Sequence, residues 1–321
     1  MAEHSRQRDA VVGGVLVAGS ALGFAIMPVF GKVAYRHGSE PFALLSWRFV
    51  LAASLMWLIL WWRCRRVRRD GARHDPMLPP IAISLRLLAL GGLLLALEVA
   101  LYFFGLQYLT AGIAEVLLFL FPAWVVIITA LLHRTSPGGV VIACTAAAVV
   151  GAGLAVGSFA SGAAAGPQAG AGVALLVGAS VTYAVYVVSN SSAVAQVGSL
   201  RATTLILTGG ALSFTLAAIV TGSHGPDDAV GVAMAVGMAV LSTVCAFGLL
   251  SAGLAYLSPS QASVVATLEP VLAVGLGWLF LSERPSWLQL VGVVLVVVAI
   301  VVILRSSGST SASEEVLPEG H

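Results

Sequence analysis

Charged residues are scarce in this chain of 321 residues: Asp, Glu, Lys and Arg make up only 9% of it, and Lys32 is the single lysine. A soluble globular protein carries about a quarter charged residues. Hydrophobic residues reach 59% and mean hydropathy is +1.00, so the chain could not hide its apolar surface in water. With a net charge of +2 it also lacks a broad basic face for nucleic acid. We therefore expect a lipid bilayer as its solvent and no nucleic-acid partner.

Cysteine and catalytic motifs are also missing. The three cysteines, Cys64, Cys144 and Cys245, are far apart and have no CxxC spacing, so neither a disulfide framework nor a zinc site is indicated. The sequence contains no nucleophile elbow, HExxH motif, glycine-rich phosphate loop or Walker motif. We expect no enzyme, no metal, no cofactor and no ATP hydrolysis within this chain.

Long apolar runs are what the sequence has in abundance. They repeatedly reach the roughly 20 residues that a helix needs to cross a bilayer, and they lack the alternation of a barrel strand. Every backbone amide in lipid needs an internal partner, which a helix supplies. The predicted fold is an all-α integral membrane protein with ten transmembrane helices. The predicted spans are residues 11–35, 41–62, 87–108, 110–132, 138–158, 172–194, 200–221, 230–257, 261–282 and 286–304.

Arginine is distributed unevenly between the predicted loops. If the N-terminus is inside, the cytoplasmic side holds 12 arginines and the opposite side 2. This asymmetry fits the rule that basic residues near membrane spans are enriched on the cytoplasmic side. We therefore expect a multi-pass protein of the cell (inner) membrane with both termini cytoplasmic. The cytoplasmic set is Arg6, Arg8, Arg63, Arg65, Arg66, Arg68, Arg69, Arg73, Arg86, Arg134, Arg201 and Arg305, and the outer set is Arg36 and Arg284.

A small, uncharged and flexible segment, residues 159–171, divides the chain into halves of five spans each. The first half covers residues 1–158 and the second covers residues 172–304. The polar residues 305–321 carry no pattern and are predicted to form a disordered cytoplasmic tail.

The two halves share an internal repeat. At a shift of 148 residues, GLQYL at 105–109 matches GLAYL at 253–257, and Pro122 matches Pro270 in the same ungapped register. Because each half has an odd number of spans, the second copy must enter the membrane in the opposite orientation. Such inverted repeats are typical of secondary transporters that work by alternating access. The alternative is that the duplication only builds a stable bundle.

Three stretches carry a resemblance to a known family: LSWRFVLA with Arg48, GLQYLTAG with Pro122 downstream, and residues 253–286 with the Glu269–Pro270 pair and Glu283. On these motifs the chain resembles the ten-helix EamA family of the drug/metabolite transporter superfamily.

The resemblance covers residues 11–158 and 172–304. His133 and Arg134 depart from it, because they stand where a Gly-Glu pair commonly closes the fourth span. The resemblance implies transport of amino acids, other metabolites or drugs, often outward.

Glu98 is the carboxylate nearest the predicted midplane, roughly 15 Å from the outer end of its span. Tyr102 follows at i+4 on the same face. A charge exposed to lipid is costly, so this face should point into the bundle. Glu98 is predicted to be a proton site or the counter-ion of a substrate amine. The alternative is a neutral glutamic acid hydrogen-bonded between helices.

Three further ionisable residues lie within spans. Arg48 and Glu115 are at similar depths, which would permit an ion pair, either purely structural or used in gating or anion recognition. Glu269 precedes Pro270 and is predicted to coordinate substrate or a proton, unless it only caps the loosened turn. Lys32, near the outer end of the first span, is predicted to extend to the membrane interface.

Prolines and aromatic residues complete the candidate site. Pro122 and Pro270 each remove a backbone hydrogen bond and act as hinges or as plain kinks. Tyr183, Tyr186 and Asn190 share one face of the sixth span at i, i+3 and i+7. Together with Tyr102, Phe119 and Trp124 they suit an amphipathic metabolite or a cation, unless they face lipid.

The function predicted from these features is secondary transport of a small-molecule substrate, with export of metabolites such as amino acids favoured by the family resemblance. Efflux of drugs or quaternary ammonium compounds is the nearest alternative. A membrane scaffold without transport and an intramembrane enzyme are alternatives of a different class. The sequence leaves the oligomeric state open, and a homo-oligomer is compatible with it.

Overall fold

The computed structural model of the chain describes residues 2–69, 77–134, 139–160, 168–257 and 259–314. Within these ranges every regular element is a helix. The α-helices, in chain order, are α1 (Ala2–Ala25), α2 (Met27–Arg36), α3 (Pro41–Arg69), α4 (Ile81–Leu90), α5 (Ala96–Gly105), α6 (Ala111–Leu118), α7 (Phe121–His133), α8 (Gly139–Ala160), α9 (Ala169–Val197), α10 (Ser199–Thr221), α11 (Ala229–Ala239), α12 (Ala246–Gly253), α13 (Pro259–Ala266), α14 (Leu268–Leu281) and α15 (Trp287–Glu314).

The helices have the length and apolarity of membrane spans. In the described ranges eight are long and apolar enough to cross a membrane, and two shorter apolar helices, Ile142–Val156 and Trp287–Val302, fall in the predicted fifth and tenth spans. The predicted all-α membrane class is therefore confirmed. The count of ten spans remains a prediction.

Several predicted boundaries differ from the helices observed. The third span begins at Ile81 rather than near residue 87. The prediction began the span after the charged Arg86, but Arg86 lies within α4, where its guanidinium donates to the carbonyl oxygen of Ser189 at 2.8 Å. Residues 305–314 belong to α15, so the predicted tail is helical that far, and residues 315–321 lie outside the described ranges. Of the predicted linker, residues 161–167 also lie outside them, and α9 already begins at Ala169.

Both membrane prolines lie just after a break in a helix. Pro122 is in the first turn of α7, after the break that ends α6 at Leu118. Pro270 is in the first turn of α14, after the break at Thr267. A proline fits a first turn because the backbone N–H that it lacks would have no partner within the helix there.

Element boundaries repeat at the 148-residue spacing of the sequence match. The helices α6 and α13 begin and end at equivalent positions. Arg134 and Ser282, which follow α7 and α14, are equivalent and both adopt left-handed backbone geometry, with φ of 55° and 59°. A π-helical segment interrupts the third span at Gly91–Leu95 and the eighth at Val240–Cys245. Helix boundaries and local backbone geometry therefore recur at the spacing of the sequence match.

Four helix pairs form the main contacts of the bundle. The helix α3 packs along α10 and α8 along α15, while α5 packs along α9 and α12 along α1. When each helix is replaced by the helix at the equivalent position of the other half, the α3–α10 and α8–α15 pairs map onto themselves. The α5–α9 pair then maps onto the α12–α1 pair. The buried core lies between these pairs, with Phe49, Tyr102, Phe103 and Phe214 among its largest side chains.

Glycine permits the closest approach between the third span and α10. A Cβ at Gly91 would lie 2.0 Å from the carbonyl oxygen of Ile206, and one at Gly209 would lie 2.1 Å from that of Leu88. No side chain fits at either distance, so the two backbones contact each other directly here. This contact holds the π-helical segment that leads into α5 and therefore positions Glu98.

Candidate functional site: a buried carboxylate cluster

Three glutamates from three helices form one cluster. Glu98 is in the first turn of α5, Glu115 is in α6, and Glu269 is in the first turn of α14. Glu115 is fully buried and Glu98 is 6% exposed. The Glu115 carboxylate is close enough to interact electrostatically with both of the others. The cluster thus joins two carboxylates of the first half to one of the second.

Tyr102 holds one side of the Glu115 carboxylate. Its hydroxyl, one turn beyond Glu98 on α5, donates to Oε1 of Glu115 at 2.5 Å. The other oxygen, Oε2, is buried and accepts no hydrogen bond within the described residues. Glu115 therefore keeps a free acceptor inside the protein, where an unsatisfied polar atom is costly.

Arg48 does not form the ion pair with Glu115 that their similar depths would permit. Its Nε donates to Oγ1 of Thr243 at 3.2 Å, and its guanidinium lies 5.2 Å from the centre of the Phe49 ring and 5.8 Å from that of Phe103. The carboxylate with which its charge interacts most strongly is Glu98. Its Nη1 is buried and, among the described residues, has no acceptor.

Aromatic side chains line a neighbouring face of the cluster. On α9 the rings of Tyr183 and Tyr186 stack with centres 5.9 Å apart, and Tyr183 meets the edge of Phe121 at 4.7 Å. Both tyrosines interact electrostatically with Glu98. Asn190 donates from Nδ2 to the Tyr186 hydroxyl at 3.1 Å. The three predicted positions of the sixth span therefore belong to one connected group.

Trp124 binds the same helix through a different partner. Its indole N–H donates to Oγ of Ser180 at 3.1 Å, and Ser180 is fully buried. Pro122 precedes Trp124 in the first turn of α7, and Phe119 at the preceding break contacts Phe121 ring to ring. The break at Pro122 therefore delivers aromatic side chains to α9.

The sequence patterns did not single out Phe121, Ser180 or Thr243. Phe121 directly precedes Pro122 and Ser180 lies three residues before Tyr183, but nothing in their spacing separated them from the other apolar and small residues. Thr243 carried a signal, because it is a hydroxyl residue in a strongly apolar span. The π-helical segment that turns it toward Arg48 is not readable from the sequence.

Lys32 forms an ion pair at the end of the bundle predicted to face outward. Its Nζ lies 2.9 Å from Oε1 of Glu283, with side chains 19% and 14% exposed. Both Glu283 oxygens also accept the backbone N–H of Ala111, the first residue of α6, at 3.0 Å. The extension of Lys32 to the membrane interface stays a prediction. Its partner Glu283 was not predicted, and it follows left-handed Ser282, which ends α14.

The arrangement suits the binding of a polar organic ligand. It combines carboxylates, one guanidinium, hydroxyls and aromatic rings, the groups that recognise a polar organic ion. Among the described residues no three His, Cys, Asp or Glu side chains are grouped to hold a metal ion.

Comparisons with known proteins agree with this architecture. The uncharacterized transporter YcbK of Bacillus subtilis (strain 168) is 28% identical over 297 residues, or 90% of this chain and 92% of that protein. A solved crystal structure with 15% identity superposes with a TM-score of 0.63 over 93% of this chain and 98% of its own, a likeness of fold alone. The model of the EamA-like transporter family matches residues 11–157 and 170–305. With most of its length matched in this way, the chain belongs to the EamA-like transporter family, and this membership points to a membrane transporter.

Proposed function

We propose that this protein is a secondary transporter that exports small organic metabolites, with amino acids as the favoured class. The observation that carries the proposal is the cluster of Glu98, Glu115 and Glu269, which lies within the membrane spans and draws on both halves of the chain. Charged groups inside a bilayer are costly and mark ion or substrate pathways. The family membership supports transport itself.

The cluster and its neighbours match the groups of a zwitterion. The carboxylates attract an ammonium group, and Glu115 has a free acceptor in Oε2. Arg48 offers Nη1 to a carboxylate at the opposite end of the substrate. The stacked rings of Tyr183 and Tyr186 supply an apolar wall for the rest of the molecule. An amino acid presents these three kinds of group.

Alternating access between two inverted halves is the proposed mechanism. Its support is the repeated geometry of the helices and the way the four main helix pairs map onto one another when the halves are exchanged. The division at residues 1–158, 159–171 and 172–304 follows the same repeat. The breaks at Pro122 and Pro270 are the proposed hinges. Arginine distribution supports cytoplasmic termini in the cell membrane.

A second candidate substrate class is quaternary ammonium compounds. Phe121, Tyr183 and Tyr186 form a continuous aromatic face beside the carboxylates, and such faces attract cations that cannot donate hydrogen bonds. Arg48 counts against this class, because its charge repels a substrate that has no carboxylate.

The experiment begins with untargeted comparison of metabolites released by overexpressing cells and by deletion cells. Candidates are then tested for uptake into proteoliposomes under an imposed proton gradient, with tetraethylammonium as the representative quaternary cation. We expect one or more amino acids to be released in excess by the overexpressing cells and to be transported. Uptake of tetraethylammonium without any amino acid would favour the second class. Transport of neither would contradict the proposal.

A further inference from the structure

A cavity of about 390 Å³ lies between α3, α10 and α12, separate from the carboxylate cluster. Its polar groups are the Arg63 side chain and the hydroxyl residues Ser199, Thr203 and Ser251. Met56, Val244 and Phe247 form an apolar wall. The cavity is thus amphipathic, with a cation and hydroxyl residues together with an apolar surface.

Two exposed tryptophans place the mouth of this cavity at the membrane interface. Trp61 and Trp62 are 41% and 50% exposed on α3, directly before Arg63. Exposed tryptophans are enriched at the level of the lipid headgroups. Arg63 therefore stands at headgroup depth, while Met56, two turns earlier on α3, lies at the depth of the acyl chains.

The next two arginines are held at the same level. The guanidinium of Arg65 lies 3.9 Å from the ring centre of Trp61, and that of Arg66 lies 3.9 Å from that of Trp62. Of the ion pairs that the described residues form, none involves Arg63. Arg63 thus lines the cavity without an ion-pair partner among the described residues, and Arg65 and Arg66 add positive charge to the same end of α3. This charge favours an anion in the cavity.

We propose that this cavity binds an anionic phospholipid, with Arg63 at the headgroup phosphate and an acyl chain along the apolar wall. A guanidinium binds phosphate oxygens in a fork geometry, and hydroxyls supply further hydrogen bonds to them. The volume is that of a site for a small organic molecule, large enough for a headgroup and the first part of a chain. The inference is independent of what the protein transports.

A free phosphate shares the headgroup chemistry, but it would leave the apolar wall unused. Gly248 makes this difference testable, because it lines the cavity and a Cβ added there would have no heavy atom within 4 Å. Gly248→Leu should fill the part of the cavity proposed to hold the acyl chain, while the Arg63 side chain is retained. It should weaken lipid binding and leave inorganic phosphate unaffected.

The experiment titrates detergent-purified protein with phosphatidylglycerol and counts bound lipids by native mass spectrometry, with phosphatidylcholine as the reference lipid. Arg63→Gln should weaken phosphatidylglycerol binding about tenfold, because a hydrogen-bonded charge pair is lost. Gly248→Leu should reduce binding of the same lipid. Arg36→Gln, an exposed arginine at the other end of the bundle, and Gly153→Leu, another glycine with open space around it, should leave it unchanged.

Two results would overturn the proposal. The first is equal phosphatidylglycerol binding by Arg63→Gln and Arg36→Gln, which would mean that the lipid is held elsewhere. The second is displacement of the lipid by millimolar inorganic phosphate, which would make the cavity a site for soluble anions. Arg63→Lys, which keeps the charge and loses the fork geometry, should bind with intermediate affinity. Because lipid is counted directly, failure here leaves the transport proposal untouched.

Discussion

The Lys32 ammonium and the Glu283 carboxylate, 251 positions apart in the chain, are joined at 2.9 Å, and the same carboxylate accepts the first N–H of α6. One side chain therefore ties α2, α6 and the end of α14 together. In the alternating-access proposal this point closes one side of the bundle and has to open during each transport cycle.

Glu283→Gln should lower the free energy of unfolding by about 2 kcal/mol, because a largely buried, charge-assisted contact is lost while the shape is kept. The measurement is thermal unfolding in detergent. Glu40→Gln is the matched control, since its partner His224 is 3.7 Å away and both side chains are exposed. An equal effect of the two substitutions would contradict the role assigned to Glu283. The exchange Lys32→Glu with Glu283→Lys should restore only part of the loss, because an ammonium group has no acceptor for the Ala111 N–H.

Glu98→Gln should reach the membrane at normal levels and lose transport or its pH dependence, because the side chain keeps its shape but cannot ionise. Transport by the purified variant in proteoliposomes, measured across pH, tests this. Glu40→Gln, which removes an exposed carboxylate, should transport normally. Transport by Glu98→Gln that is unchanged at every pH would eliminate Glu98 as a proton or substrate site.

Gly91→Ala should be strongly destabilising, since its Cβ would lie 2.0 Å from the Ile206 carbonyl oxygen and would force the π-helical segment Gly91–Leu95 away from α10. Gly153→Ala has open space around the new Cβ and should be neutral or slightly stabilising. Comparison of unfolding temperatures measures the difference. Equal stability of the two variants would contradict a direct backbone contact between this segment and α10.

Asp228, in the loop before α11, is expected to stabilise the fold in a way that is lost in acid. The backbone N–H of Gly231 and the side chain of His37 hydrogen-bond its carboxylate and hold its pKa below the usual value. Its contribution is therefore complete above the ordinary pKa of an aspartic acid and is lost as the pH falls through the lowered pKa. The difference in unfolding temperature between wild type and Asp228→Ala should be present at neutral pH and shrink in acid. A difference that stays the same at neutral and at acid pH would contradict this prediction.

Labelling of cysteines in whole cells tests the predicted orientation. With Cys144 and Cys245 replaced, an impermeant thiol reagent should spare Cys64, which is in the arginine-rich segment after the second span. It should label a cysteine introduced by Gly166→Cys in the predicted outer linker, a position outside the described residues. The reverse labelling pattern would invert the topology.

The sequence was sufficient for features that depend on local pattern. Apolar run length predicted the helices, and the shared register predicted the matching breaks before Pro122 and Pro270. The positions of Tyr183, Tyr186 and Asn190 followed from helical periodicity. Each of these inferences depends only on the sequence pattern within one helix or on the match between the two halves.

Contacts between helices were less accessible, and Arg48 and Lys32 show why. Counting residues along a helix gives the depth of a side chain in the membrane, but it says nothing of where that helix stands around the bundle. Arg48 and Glu115 have similar predicted depths, yet Arg48 bonds Thr243 instead. The partner of Lys32 is Glu283, which directly follows the predicted ninth span. The turn at Ser282 directs Glu283 toward Lys32.

The contact of Glu283 with the first N–H of α6 cannot recur at the equivalent positions of the sequence match. Ala111 opens α6 with an N–H for the carboxylate, whereas its equivalent Pro259 opens α13 with none. In the sequence, Thr135 occupies the position equivalent to Glu283. Of these two equivalent positions, the carboxylate thus occupies the one that faces a backbone hydrogen-bond donor. The first half supplies the N–H of this contact and the second half supplies the carboxylate. A chain assembled from two copies of either half could therefore not form it.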